Sequence, residues 1–343
     1  MFQIEEKVLT KLYSLFPVSG SVKGPKMKDI RRLFISTMRS IISYGCGAWF
    51  FEEVRPKDPL SKFAIRDAQV ERLEVLQANC LRFVAGAYST VPRQEVEKDV
   101  FIDSIRVYLR RMASAYRTRT VHNESLIHLR ACRPKIHPYS MLYDRAIDQE
   151  KDIRRQLADR GTNVEERWKK PHFRSRDITN YYKKKAFNES SDLWDTYRFN
   201  RLHKEQQSRK GQRPRPILME KWGPQALKYH DNLRKIESTM LTHFRTGFNG
   251  LNRHLKFIGV LKGDDDHLCE CGREADDVEH RFLRCPLLRD ARKQLKETVG
   301  HLDLTELLTR DARAATKWAI RHWGLAQFEW TNRHMPDSPH GEQ

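Results

Sequence analysis

The stretch CECGREADDVEHRFLRC, residues 269–285, holds three of the chain's six cysteines, with one histidine between the second and third of them. The spacing is C-x-C-x8-H-x4-C through Cys269, Cys271, His280 and Cys285. Three thiolates and one imidazole complete a tetrahedral Zn²⁺ shell and leave no position for water, the pattern of a structural site. So short a segment gains its fold from the ion, because the ligands have little to hold them together without it. The flanking residues suit that geometry. Gly272 stands where a tight turn must bring two sulfurs onto one ion. Asp276 or Asp277 can cap a helix carrying Val278, His280, Phe282 and Leu283. Pro286 then closes that helix or opens the next at its first position. The plainer alternative is three buried free thiols and a surface histidine. A disulfide between Cys269 and Cys271 is disfavoured, since residues so close in sequence do not readily meet the bond's geometry.

Working outward, the 343-residue length allows two or three domains. Lys and Arg outnumber Asp and Glu by 64 − 45 = 19. A surplus of that size favours a polyanionic partner, nucleic acid before membrane. No apolar run approaches the roughly 18 residues needed to span a bilayer. The N-terminal MFQIEEKVLTKLYSLFP is broken by charges where a signal peptide would be apolar. Cys46, Cys80 and Cys132 are scattered singly, which fits a reducing compartment, cytosol or nucleus, rather than a secreted disulfide framework.

The expected fold is mainly α. Residues 1–122 read as a helical bundle, with helices from about Lys28 to Tyr44, Ile65 to Gly86 and Asp103 to Arg119. A Pro-rich loop, Arg55 to Pro59, separates the first two. Residues 123–218 read as a basic helical or partly disordered linker. Within it, residues 151–215 carry 19 Lys/Arg against 9 Asp/Glu, interleaved with Trp168, Phe173, Tyr181, Tyr182, Trp194, Tyr197 and Phe199. Cations for phosphates and aromatic faces for bases are what a single-stranded nucleic-acid surface needs. Lys183, Lys184, Lys185, Tyr181 and Tyr182 are its candidate contacts. A long solvated helix whose aromatics dock on a neighbouring domain is the competing reading. The run Arg209 to Pro216 is the clearest linker and also suits a basic nuclear-import signal.

Residues 219–300 form the metal module. A helix from Ile236 to Thr246 is expected to end at Gly247, followed by a short helix with Leu251, Leu255 and Ile258. Asp264-Asp265-Asp266 reads as a solvated turn. His230, His243 and His254 read as hydrogen-bonded helix residues, and His267 is a lesser candidate ligand. Residues 301–343 are C-terminal helices and a polar tail.

Two separated patterns carry a family resemblance. The stretches RRLFISTMRSIISYGCGAWF, beginning at Arg31, and LEVLQANCLRFVAGAY, beginning at Leu73, resemble the thumb or connection region after the palm of fungal non-LTR retrotransposon reverse transcriptases. Residues 237–286 resemble the Arg-Thr-Gly/Gly-Leu-Asn corner (Arg245-Thr246-Gly247, Gly250-Leu251-Asn252) and zinc knuckle of the Tad-like and I-like group of those elements. The resemblance implies Zn²⁺ on Cys269, Cys271, His280 and Cys285, and contacts from the C-terminal segment to RNA or DNA.

The catalytic part of such an element is not recognised. A polymerase palm needs carboxylates that hold two Mg²⁺ ions, and nothing resembles a Tyr-x-Asp-Asp strand turn. Ribonuclease H and endonuclease sites are likewise not found. The expected function is therefore a non-catalytic, zinc-containing nucleic-acid-binding remnant of the element. Its phosphate contacts would come from Arg245, Arg253, Lys256, Arg273, Arg281 and Arg284 as well as the mid-chain lysines. The alternatives are a zinc-stabilised protein-interaction scaffold, an inert element fragment, or an enzyme with reverse transcriptase or nuclease activity.

Overall fold

The computed structural model describes residues 2–52, 64–132, 138–208 and 215–325. It is 70% helical, and its isolated antiparallel bridge pairs Leu268 with Ala275. The expected loop from Arg55 to Pro59, most of the Arg209–Pro216 run and the end of the C-terminal tail lie outside the described residues.

Helices appear where apolar residues recur at helical spacing. α1 (Phe2–Leu15) opens the chain. α2 (Met27–Leu33) continues through one π turn (Phe34–Met38) into α3 (Arg39–Ser43). Ile30, Phe34, Met38 and Ile42 fall every fourth residue along it and all are buried, the stripe that gives a helix its inward face. α4 (Cys46–Trp49) starts after Gly45, whose φ of +62° is left-handed. α5 (Asp67–Ala85) ends where Gly86 adopts φ +69°. α6 (Arg93–Asp99) was not legible as a core element, since Glu95, Glu97, Lys98 and Asp99 are all buried in it.

α7 (Ile105–Thr120) is capped by the Ser104 hydroxyl, which accepts from the Val107 amide. α8 (Glu124–Ala131) is capped in the same way by Asn123. α9 (Pro138–Ala158) follows, then α10 (Val164–Trp168), capped by Asn163. α11 (Pro171–Ser208) is 38 residues long. Ile178, Tyr182, Ala186, Ser190 and Trp194 form a buried seam at every fourth position of it. The short α12 (Pro216–Met219) and α13 (Gln225–Tyr229) lead to α14 (Lys235–Thr246), which is buried along its whole length and stops at Gly247, φ +73°. α15 (Asn252–Phe257), α16 (Arg289–Val299), α17 (Leu304–Leu307) and α18 (Ala312–His322) complete the set.

These helices form two compact units that interleave along the chain. Unit 1 comprises Met1–Glu5, Arg39–Gln77 and Asp103–Leu193; unit 2 comprises Glu6–Met38, Ala78–Ile102 and Trp194–Gln343. The divisions expected near residues 122, 218 and 300 do not coincide with these units.

In unit 1, α7 packs on α4 and α9. Ala115, Ile153, Val164, Trp168, Ile178 and Tyr182 form a buried cluster, so the mid-chain segment expected as a connector supplies core residues. Two of its arginines are also tied down. Arg167 grips Asp177 with two bonds of 2.6 and 2.8 Å, and Arg174 reaches Glu150 at 2.6 Å and the carbonyls of Thr118 and Arg119 at 2.9 Å.

In unit 2, α14 and α18 pack together with α16 and α17 against α18. Around α14 lies a buried ionic network that joins residues far apart in sequence. Asp99 accepts from Arg245 Nε at 2.8 Å and Thr242 Oγ1 at 2.6 Å. Glu220 accepts from Arg245 at 2.7 Å and from Lys98 at 2.9 Å. Glu95 accepts from Arg215 through both oxygens at 2.7 Å and from the Tyr197 hydroxyl at 2.8 Å. Burial alone would raise the Asp99 carboxyl, but Arg245, His230 and Thr242 outweigh it and hold it well below the carboxylate range. Such a network is costly to break, since removal of one partner strands a buried charge.

Candidate metal centre and its charged surroundings

The segment from Leu268 to Leu288 is short of regular structure and is held by turns. Cys269 N–H donates to the Glu274 carbonyl at 2.9 Å, and Gly272 N–H to the Cys269 carbonyl at 2.7 Å. Gly272 takes φ +70°, a conformation costly for a residue with a Cβ. That turn places the sulfurs of Cys269 and Cys271 on the same side as a π turn from His280 to Arg284. Asp277 Oδ1 caps this turn by accepting from His280 N–H at 2.9 Å. Of the two expected caps, Asp276 instead takes Arg281 in a buried pair. Cys285 follows the turn, and Pro286 opens a 3-10 turn as its first residue.

The four expected ligand atoms converge. The sulfurs of Cys269, Cys271 and Cys285 and a ring nitrogen of His280 all lie within 4.8 Å of one another. Cys269 Sγ is 3.7 Å from Cys285 Sγ, and Cys271 Sγ is 3.3 Å from His280 Nε2. A small cation about 2.3 Å from each sulfur and about 2.0 Å from nitrogen has tetrahedral edges of about 3.8 Å (S···S) and about 3.5 Å (S···N). Those two pairs already stand at about such edges, and the widest separation, no more than 4.8 Å, needs to close by at most about 1.3 Å. A disulfide has its sulfurs about 2.05 Å apart, so the Cys269–Cys285 spacing is that of co-ligands and not of a bond.

Burial completes the fit. Cys269, His280 and Cys285 are 2%, 1% and 0% exposed, while Cys271 is half-buried. Without a cation, burial pushes the Cys269 thiol up to about 12. For Cys271 burial also acts upward, but backbone N–H groups at Arg273 and Glu274 and the neighbouring thiols outweigh it and lower its pKa. Three thiols and an imidazole packed this closely are a donor set that a cation satisfies by displacing protons. This Cys₃His cluster can hold a metal ion.

A residue missed in the sequence reading stands behind it. Glu274 Oε2 lies 3.3 Å from His280 Nδ1 and 2.7 Å from Arg284 Nε. His280 Nδ1 is otherwise a buried nitrogen without a hydrogen-bond partner. A carboxylate on the far ring nitrogen is what orients a metal-bound imidazole. Its signal was a glutamate inside the turn between the second and third ligands.

The charged residues expected to meet phosphates divide sharply. Arg245 is fully buried and ion-paired to Asp99 and Glu220, so it has no face for a phosphate. Arg281 is buried with Asp276, and Tyr182 is buried in the unit 1 core with its hydroxyl on Gln149 and Thr118. These three are corrections to the expected interface: a side chain spent inside the fold cannot also serve the surface. Arg253 pairs with Asp277, Arg284 with Glu274 and Glu279, and Lys256 with the carbonyls of Lys262 and Gly263. Tyr181 is half-buried against Tyr182. Lys183, Lys184, Lys185 and Arg273 are exposed.

Of the expected stacking aromatics, Trp168 and Trp194 are buried, the latter donating to the Glu220 carbonyl at 2.7 Å, while Phe199 is exposed. His267 Nδ1 donates to the Asp264 carbonyl at 3.0 Å and is not among the four converging ligands. His230, His243 and His254 are all buried. Asp264 to Asp266 form the expected turn, with Asp266 Oδ2 accepting from Gly263 N–H at 2.7 Å. Among the described residues, no helix is long and apolar enough to cross a membrane. Comparison of the chain with protein-family models, with curated proteins and with solved structures finds no match.

Proposed function

We propose that the Cys₃His centre binds one structural Zn²⁺ ion, and that the chain is a non-catalytic nucleic-acid-binding protein derived from the C-terminal part of a non-LTR retrotransposon reverse transcriptase. The convergence of Cys269, Cys271, His280 and Cys285 within 4.8 Å carries this reading. Thiolate-rich, four-ligand sites favour zinc over the harder divalent ions. Four protein ligands leave no coordination position for water, so the centre's role is to hold the segment's shape. Nucleic-acid binding is supported by the net charge of +19 and by the exposed Lys183, Lys184, Lys185 and Arg273. Phosphate contacts of this kind release counterions and make affinity fall steeply with salt. A reducing compartment, nucleus or cytosol, suits the free thiols.

The test has two readings on one preparation. Metal analysis should give one zinc per chain, falling to none in Cys271→Ser. Single-stranded RNA should bind the intact chain with a log–log salt slope of about −0.7 per phosphate contact, and Lys183→Ala/Lys184→Ala should make that slope shallower. Zinc without any RNA binding, or RNA binding indifferent to salt, would leave the metal centre in place and remove the nucleic-acid role in favour of a protein-interaction scaffold.

A further inference from the structure

Unit 1 contains a cavity of about 430 Å³ whose rim is strongly cationic. That volume is in the range of small-molecule sites. Arg110, Arg111, Arg117, Arg145 and Lys185 line it against two carboxylates, Glu52 and Glu189. Both carboxylates are already engaged. Glu52 pairs with Arg106 at 2.7 Å and with Arg110 at 2.6 Å, and Glu189 pairs with Arg110.

No described carboxylate lies within ion-pair reach of Arg111, Arg117 or Lys185. Arg117 is held by the carbonyls of Gly47 and Phe50 at 2.8 and 2.7 Å, which fix its guanidinium without neutralising it. Arg111 stands over the Tyr108 ring and has a buried Nε with no hydrogen-bond partner. Lys185 is exposed at the mouth. Burial pulls the Arg117 guanidinium down to about 10, with Cys46 and Tyr182 opposing only in part. Arg215 shows the contrast: burial lowers it too, but Glu95 and Glu205 outweigh that and raise it. A partly buried cation without a counter-charge is costly to the fold, and a bound anion removes the cost. The rest of the lining includes the apolar and aromatic side chains of Phe51, Leu142, Ala146 and Ala186, and the Phe51 ring lies beside Arg117, 6.0 Å from its guanidinium carbon.

We propose that this cavity binds a nucleotide unit, its phosphate on Arg111, Arg117 and Lys185 and its flat base against the Phe51 side. Guanidinium forks match phosphate oxygens, and an aromatic wall accepts a base face. The phosphate ester comes either from a free nucleotide or from a single strand of nucleic acid. In the second case the proposal rests on the nucleic-acid reading above; in the first it stands alone.

Calorimetry on the full chain at low salt, with a nucleoside 5′-monophosphate, its nucleoside and a single-stranded RNA, tests this. The monophosphate should bind at least about tenfold tighter than the nucleoside, and Arg111→Ala/Lys185→Ala should weaken it at least about tenfold. Circular dichroism checks the variant's fold, and Lys185→Ala alone, at an exposed position, repeats the readout if the double variant fails that check. If a strand is the source, the monophosphate displaces the RNA and the variant loses both. If a free nucleotide is the source, Arg111→Ala alone, which keeps Lys185, lowers monophosphate binding and leaves RNA binding unmoved. RNA bound equally by wild type and Arg111→Ala with no monophosphate binding would overturn the proposal and spare the nucleic-acid reading. Monophosphate binding that the folded variant retains in full would overturn it as well.

Discussion

Glu274 and Lys235 show how single side chains set measurable quantities here. Glu274 reaches His280 Nδ1 from behind the ligand cluster while also pairing with Arg284. Glu274→Gln keeps the shape but weakens the hold on the imidazole, so metal affinity should fall by about tenfold or more in competition with a chromophoric chelator. Unchanged affinity would mean that Glu274 serves Arg284 alone. Lys235 is 3% exposed, with its Nζ on the Val84 carbonyl at 2.6 Å. Burial lowers its pKa to about 7, against about 10.4 in an unfolded chain. Between those pH values the unfolded state binds more protons, so unfolding takes one up and stability rises with pH from about 7 to about 10. Lys235→Met should therefore flatten the slope of unfolding free energy against pH over that window in urea titrations. A slope identical to wild type would show that the lysine is not titrating inside the fold.

At the level of elements, the end of α5 is fitted to α14. Gly86 has φ +69°, and a Cβ there would lie 2.2 Å from Thr239 Oγ1, on a helix that is itself fully buried. Gly86→Ala combines backbone strain with a clash that neither helix can yield to, and should cost about 2–3 kcal/mol of stability. Adding Thr239→Ala should recover only the steric part of that loss, which thermal denaturation of the single and double variants would resolve. Full recovery would mean the left-handed backbone carries no strain. The helices that could be read in advance are those whose partners are near in sequence. Ile30, Phe34, Met38 and Ile42 announce α2 and α3 by spacing alone, and the Cys-x-Cys pair announces a turn. α6 carries no such signal. Its buried Glu95 is matched by Arg215, 120 residues away, and no local pattern encodes that distance. α11 was obscured for a related reason. Its inward seam from Ile178 to Trp194 is diluted by lysines and arginines on the other faces, so it read as a basic connector. The same long-range pairing explains Arg245: its charge was countable in the sequence, whereas Asp99 and Glu220 as its partners were not.

Across the whole molecule, the three thiols of the candidate centre belong to, or pack on, a single hydrophobic cluster, which lies in unit 2. Cys269 and Cys285 are members of the unit 2 cluster that includes Phe244, Phe282, Trp318 and Trp323. Phe282, two residues after the ligand His280, stacks on Trp318 at 5.4 Å and meets Trp323 edge-on at 4.9 Å and Phe244 at 5.4 Å. An ion on the four ligands thus clamps the segment that presents Phe282 to α14 and α18. The unit 1 cluster of Ile153, Trp168, Ile178 and Tyr182 contains no ligand of the centre. Structural metal sites supply about 10–16 kcal/mol of apparent binding energy, comparable with or larger than the entire stability of a typical domain, about 5–15 kcal/mol. Stripping the ion should therefore act locally but severely. Hydrogen exchange read segment by segment should show amides in residues 269–299 and in α18 losing protection when a chelator is added, while α7 and α9 keep theirs. Restoring the metal should restore the lost protection, and Cys271→Ser should reproduce the stripped pattern without chelator. Protection falling equally in α7 and α9 would mean that the ion supports unit 1 as well, and protection unchanged in α18 would mean that the Phe282 cluster holds together without it.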